Sequence, residues 1–175
     1  MRHVVLVSGA PGAGKTSVAT PLAAALGLPL LSKDALKERL YDSLGIVAQD
    51  PLEWSRRLSA AAMDLLLAVA AELPCVVLDA NFRPRDAAQR RCLTAMDARV
   101  VEVHCRCPAA EAARRYAERA RRGERHPAHV LAELPDELLA EFAGPVAVGP
   151  VIWEDTTDSV DITVLARRVQ ELLGA

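Results

Sequence analysis

The sequence predicts an α/β fold in which a parallel β-sheet is covered on both faces by helices. Strand-length apolar runs at 3–7, 28–31, 75–78, 99–105 and 151–153 alternate with helix-length segments, and this alternation is the pattern of a parallel sheet with crossover helices. The runs at 3–7 and 75–78 are continuous rather than alternating, as central strands buried on both sides require. A chain of 175 residues with 51% apolar content can bury one substantial core, so one domain over 1–175 is expected.

In chain order, the first strand runs into a glycine-rich turn at 9–14 and a helix. Pro21 falls inside that helix, where an interior proline costs about 3 kcal/mol, which predicts a kink or irregularity. After the second strand, Ser32 reads as an N-cap to a helix at 33–44 that Gly45 stops. Pro51 opens a long amphipathic helix to Glu72, closed by Pro74. Further helices are expected from Pro84 to about Ala95, from Pro108 to Arg122, from Pro135 to Phe142, and from Asp161 to Leu173. The segment 123–135, GERHPAHVLAELP, has two histidines, two prolines and a glycine, a composition suited to a mobile flap.

Composition excludes several classes of function. The formal net charge is −2, so no global field draws the chain to nucleic acid or to an anionic membrane, and any basic site is local. Of the four cysteines, Cys75, Cys92, Cys105 and Cys107, no two form a C-x-x-C pair. Three sit in or beside apolar runs, so reduced core cysteines are expected and a zinc site is not. The longest apolar-looking stretch, 60–73, is too short to span a bilayer and carries Asp64 and Glu72. A short apolar start without a cleavage site argues against a secretory signal. A soluble, cytoplasmic protein is expected.

The turn after the first strand reads GAPGAGKT, residues 9–16, and satisfies GxxxxGK[ST] between a buried strand and a helix. Glycines at 9, 12 and 14 permit positive φ, so the amides of Gly9, Ala10, Pro11, Gly12, Ala13, Gly14, Lys15, Thr16 and Ser17, the proline excepted, can face one concavity that holds phosphate oxygens. The helix N-terminus adds its dipole. Lys15 is expected on the β/γ-phosphates and the Thr16 hydroxyl on Mg²⁺. The competing reading is a chance match in a glycine-rich turn.

Two aspartates stand at strand ends. Asp79 closes VVLD at the carboxyl edge of the third strand, a Walker-B-like place for a carboxylate that holds Mg²⁺; a turn or cap aspartate is the alternative. Asp34 follows the second strand in LLSKDALKERL. A helix-start aspartate can be only a cap, but at this edge it can also accept the proton of an attacking hydroxyl. Lys33 and Lys37 flank it and could lower its pKa or bind an anionic group on an acceptor.

The helix after Pro108 carries Arg114, Arg115, Arg119, Arg121 and Arg122, interspersed with Glu111 and Glu118. Either this is a solvated charged face, or Arg115, Arg119 and Arg122, at i, i+4 and i+7, converge on one anion and make 115–135 a lid. His126 and His129, without a nearby carboxylate constellation, read as surface or lid contacts rather than a metal site.

Taken together, GAPGAGKT, SKDALKERL, VVLDANFRPRDAAQR and RYAERARRGERHP resemble the small P-loop kinases of the AAA-33/zeta-toxin group, which includes the polynucleotide 5′-kinase domain and the chloramphenicol phosphotransferases. The resemblance covers most of the chain. It implies a P-loop NTPase three-layer sandwich with a five-stranded parallel sheet of order 2-3-1-4-5 and a small helical lid. It further implies Lys15 and Thr16 at the phosphates and Mg²⁺, Asp34 as the base, Arg122 as a lid arginine on the phosphates, and Asp79 and Asn81 lining the site between the Mg²⁺ and the acceptor. The residue pattern itself adds Arg119 as catalytic, Arg115 at the nucleotide, Asp79 as a Mg²⁺ ligand, and Lys37 and Arg83, with Asp34, at the acceptor. The segment 155–158, DTTD, is similar to a terminal feature of these kinases near the nucleotide base. The expected activity is an ATP- and Mg²⁺-dependent transfer of the γ-phosphoryl group to a hydroxyl of a small molecule, a metabolite or an antibiotic. The rival acceptor is a nucleic-acid 5′-hydroxyl, disfavoured by an aromatic content of 3%. The rival class is an ATP-hydrolysing switch that binds a protein partner.

Overall fold

In the computed structural model, which describes residues 1–46 and 49–174, the chain forms a five-stranded parallel sheet. Its strands are β1 (Arg2–Ser8), β2 (Leu30–Ser32), β3 (Cys75–Asp79), β4 (Ala98–Arg106) and β5 (Val151–Asp155), in the order β2-β3-β1-β4-β5. The helices among the described residues are α1 (Lys15–Leu26), α2 (Lys33–Leu44), α3 (Pro51–Glu72), α4 (Ala87–Ala95), α5 (Ala109–Arg121), α6 (Asp136–Ala140) and α7 (Ile162–Leu173).

The continuous apolar character of β1 follows from its place between β3 and β4. Val5 and Val7 join one core with Val18, Leu22, Leu165 and Val169 of α1 and α7. Val4 and Leu6 point the opposite way, into a second core with Met63, Leu66 and Leu93 of α3 and α4. Burying each such aliphatic side chain contributes about 1.5–3 kcal/mol, so both faces of β1 hold the sheet to its helices. Parallel pairing then brings the carboxyl ends of β1, β2 and β3 to one edge: Ser32 lies opposite Asp79, and Val7 opposite Asp79 on the other side.

Several expected boundaries shift for identifiable reasons. The helix expected from Pro84 begins instead at Ala87, because the Asp86 carboxylate caps it, accepting from the amides of Ala88 at 2.9 Å and Gln89 at 3.1 Å. Ser32 precedes α2, but its hydroxyl makes no cap bond; it reaches Asp79 Oδ2 at 3.4 Å. The last turns of α5 and α6 stop one and two residues short of the expected ends. α1 continues through Pro21 to the left-handed Gly27. The ring removes one amide donor, and the carbonyl it would have served belongs to exposed Ser17, where solvent can replace it. Among the cysteines only Cys105 is fully buried, and Cys92 is exposed.

Candidate active site

The turn between β1 and α1 has the backbone that its glycines permit. Gly9, Gly12 and Gly14 adopt φ of 132°, 84° and 75°, in the region that side chains rarely enter. A Cβ at Gly9 would meet the Cys105 carbonyl and one at Gly12 the Ala112 carbonyl. The turn is therefore wedged between β4 and α5. It is held from behind by Thr156, whose one hydroxyl proton is shared between the carbonyls of Ala13 at 2.9 Å and Arg106 at 3.0 Å. The 155–158 segment thus supports the loop.

Lys15, at the first position of α1, donates to the Ala10 carbonyl at 2.9 Å, so its ammonium folds back over the loop. Burial pulls its pKa below the ordinary value, while the Asp79 and Asp34 carboxylates oppose the shift. An ammonium in this state gains from any further negative charge, and a polyphosphate supplies it. Thr16 donates to Asp79 Oδ2 at 2.7 Å. Burial raises the Asp79 pKa, against the lowering effect of Lys15 and of the Thr16 hydrogen bond. A hydroxyl and a buried carboxylate in contact form a hard-oxygen pair suited to Mg²⁺. No cluster of three or more His, Cys, Asp or Glu that could form an all-protein metal cage occurs among the described residues. The pair therefore fits a magnesium ion that keeps most of its ligands from water and phosphate.

Across the cleft stand residues from α2. The cleft, of about 1130 Å³, is lined by Gly12, Gly14, Lys15 and Thr16 on one side and by Lys33, Asp34 and Lys37 on another. Asp34 keeps 60% of its side-chain surface open. Burial within the cleft walls pushes its pKa up, but Lys33, His129, Lys15 and Lys37 outweigh this and hold it below the ordinary 3.8. Its nearest cation is Lys33 Nζ at 3.5 Å, which also donates to Asn81 Oδ1 at 3.3 Å. Arg83 bonds Glu141 at 2.8 Å and lies over the Phe142 ring, which ties the end of β3 to the segment after α6.

The arginines of α5 do not converge as one set. Arg115 is fully engaged: Nε to Glu111 at 2.6 Å, and its two terminal nitrogens to the carbonyls of Thr156 and Thr157, both at 2.9 Å. It lines the cleft beside Gly14 as a fixed planar cation. Arg114 is taken by Glu111 and Glu118. Arg119 and Arg122 line the cleft and are exposed, with Arg122 3.9 Å from Glu124.

The segment 123–135 has no helix or strand and is pinned across the cleft. His126 bonds Asp42 at 3.0 Å and His129 bonds Glu38 at 3.1 Å, so both histidines contact α2. Ser55 of α3 donates to the Ala128 carbonyl at 2.7 Å.

A family described as an AAA domain (AAA_33) matches residues 4–145. The chain belongs to this family. This AAA-domain protein is 30% identical to a kinase candidate from Chloroflexus aurantiacus, with 98% of each chain covered and a TM-score of 0.85. It shares the fold of shikimate kinase from Acinetobacter baumannii (22% identity, 99% and 94% covered, TM-score 0.57). The same holds for the Mycobacterium tuberculosis APS kinase (24% identity, 99% and 98% covered, TM-score 0.57). No curated protein matches. The sheet order 2-3-1-4-5 is that of small P-loop kinases, and the AAA-domain protein has a kinase-like, nucleotide-binding fold. None of its described helices is long and apolar enough to cross a membrane.

Three features of the AAA-domain protein are not evident from its motifs. Arg125 bonds the Tyr116 hydroxyl at 2.7 Å with its guanidinium 4.0 Å from the ring centre, and it lines the cleft. Ser55 joins α3 to the 123–135 segment. Third, β4 carries fully buried Glu102, which accepts from Ser8 Oγ at 2.5 Å and from the amides of Val146 at 3.0 Å and Ala147 at 2.8 Å. Ser8 also bonds His104 at 2.8 Å. This serine, glutamate and histidine do not line the cleft; they pin the 146–147 turn to the sheet. The signal for Glu102 is its spacing of two from His104 in an apolar strand, which puts two polar groups on one buried face.

Proposed function

We propose that the protein is an ATP- and Mg²⁺-dependent phosphotransferase whose acceptor is a hydroxyl of a small molecule. The observation that carries this reading is a carboxyl side chain, Asp34, sharing one cleft with the phosphate-loop lysine, Lys15. The loop amides and Lys15 bind and orient the triphosphate. Magnesium, held by Thr16 and Asp79, would neutralise charge on the phosphate oxygens.

Asp34 accepts the proton of the acceptor hydroxyl as its oxygen bonds to the γ-phosphorus. The bond from that phosphorus to the β–γ bridging oxygen breaks, and ADP leaves with the electron pair. Because its pKa is already held low, Asp34 is charged throughout the neutral range. It therefore acts by position and charge, receiving the proton late.

In this reading 115–135 is the lid. Arg119 and Arg122 reach the transferring group, Arg115 offers its planar face to the nucleotide base, and the pinned 123–135 segment excludes water. Lys37, Asn81 and Arg83 face the acceptor. The reading carries a cytoplasmic location with it, since nucleoside triphosphates are held inside the cell. A nucleic-acid 5′-end is the less favoured acceptor, because the cleft is lined by few aromatic side chains.

The experiment is incubation with γ-labelled ATP, Mg²⁺ and a panel of small alcohols, with a short 5′-hydroxyl oligonucleotide alongside. A labelled small phosphoester that is lost in Asp34→Asn is the expected result. Label on the oligonucleotide alone would shift the acceptor class, and full turnover by Asp34→Asn would remove the base.

A further inference from the structure

The acceptor end of the cleft holds a buried cation that no carboxylate touches among the described residues. Lys37, on the second turn of α2, lines the cleft and is only 5% exposed. An ammonium has three donors; among the described residues this one has a single hydrogen-bond partner, the Ser55 hydroxyl at 2.8 Å. No carboxylate lies within 4.0 Å of it among the described residues. The two acids whose charge acts on it make their close contacts with other groups, Asp34 with Lys33 at 3.5 Å and Glu38 with the His129 ring at 3.1 Å. Ser55 cannot offset the charge, because it spends its own proton on the Ala128 carbonyl at 2.7 Å and presents only a lone pair.

We propose that the phosphoryl acceptor is an alcohol that also bears an acid group, and that the Lys37 ammonium is the counter-ion of that group. The inference rests on the proposed phosphotransferase reading and specifies its substrate class. A buried ammonium left unpaired is costly. The cost shows in its pKa, which burial, then Lys33 and Arg125, lower to about 8 while Asp34 and Glu38 oppose. A fold gains nothing from such a group, whereas a ligand that brings the missing charge does.

The other anion of the proposed reaction is the nucleotide, but the charges that chiefly act on Lys37 belong to elements other than the phosphate loop. The groups acting on it come from α2 and from the 123–135 segment, whereas Lys15 acts on Asp34 and Asp79. The same cleft is lined by Ser59, Met63, Leu67 and Phe142, which offer a partly apolar wall for the body of the acceptor. Ser55 adds a positioning role: it fixes the ammonium and the lid backbone together, so a closed lid and an oriented Lys37 occur in the same state.

The test uses the full chain saturated with Mg·ADP and matched probes: glycerate against glycerol, gluconate against glucose, shikimate against its methyl ester. At least one acid is expected to bind roughly tenfold or more tighter than its neutral partner, the worth of a charge-assisted hydrogen bond. Lys37→Met should erase the preference, leave Mg·ADP affinity within about twofold by the same reasoning, and melt at or above the wild-type temperature. A merely structural lysine would melt lower on truncation. The inference is overturned by equal binding of acids and neutral partners, by no acid binding at all, by a preference that survives Lys37→Met, or by weakened Mg·ADP binding in its place. If neutral alcohols are phosphorylated with γ-labelled ATP, this inference fails while the phosphotransferase reading stands; if Mg·ATP itself does not bind, the reading fails first.

Discussion

The two ends of the cleft are built on different principles. The phosphate end is made of main chain: successive amides, three glycines with positive φ and one lysine folded onto its own loop. The other end, where we propose that the acceptor binds, is lined by side chains from α2, α3, the segment after β3 and the 123–135 segment, many of them charged and tied to one another. A main-chain site recognises a group common to every nucleotide and tolerates little change in backbone. A side-chain site can change its ligand one residue at a time while the chemistry stays in place. A family with one loop and many acceptors is the expected consequence.

Asp34 lines the cleft together with both Lys15 and Lys37, so its replacement should have the largest effect. Asp34→Asn should lower single-turnover transfer by about 10²–10⁴-fold and leave Mg·ATP affinity nearly unchanged. Since the wild-type carboxyl titrates below 3.8, the transfer rate should show no loss from this group between pH 8 and about pH 5. An acid limb near neutrality that Asp34→Asn abolishes would contradict the assignment.

Backbone sensitivity sharpens the contrast. At Gly12 an added Cβ meets the Ala112 carbonyl, whereas at Gly27, also left-handed, it meets nothing within 4 Å. Gly12→Ala should cost more than about 2 kcal/mol of stability and much of the nucleotide affinity, and Gly27→Ala only about 1 kcal/mol, the conformational strain alone. Equal effects in denaturant melts would mean that the loop is not held by its neighbours.

Lys37 measures the cost of the side-chain end. Its pKa of about 8 lies below that of an unfolded lysine, so protonation favours unfolding. The penalty is fully present below pH 8 and fades as pH rises from 8 to 10.5. Converted, it is about 3 kcal/mol. Wild type should therefore gain stability over that interval relative to Lys37→Met; parallel stability curves would show that the ammonium is not strained. The smallest effect is expected at Arg83 and Glu141, whose side chains are 50% and 48% exposed. Glu141→Gln should change stability by under about 1 kcal/mol.

What the sequence made legible follows the same division. The strands, the loop and the aspartates at the strand ends are local statements, in which a residue's role depends on neighbours within one turn or strand. The acceptor end depends on residues far apart in sequence. Ser55 and Ala128 are separated by 73 positions and meet only because α3 and the 123–135 segment cross. Arg115, Arg119 and Arg122 share a helical spacing, but spacing cannot show that the carbonyls of Thr156 and Thr157 hold the first of them. Glu102 and His104 carried a readable signal, two polar residues on one face of a buried strand; their partners, Ser8 and the 146–147 amides, did not.

The proposed activity depends above all on the loop at 9–16 holding a triphosphate with Lys15 as its counter-charge. Calorimetric titration of Mg·ATP into wild type and Lys15→Ala tests this directly. Saturable binding at one site, weakened by about tenfold or more in the variant, is the predicted result. Equal affinity in the two proteins, or no heat of binding to either Mg·ATP or Mg·GTP, would contradict it.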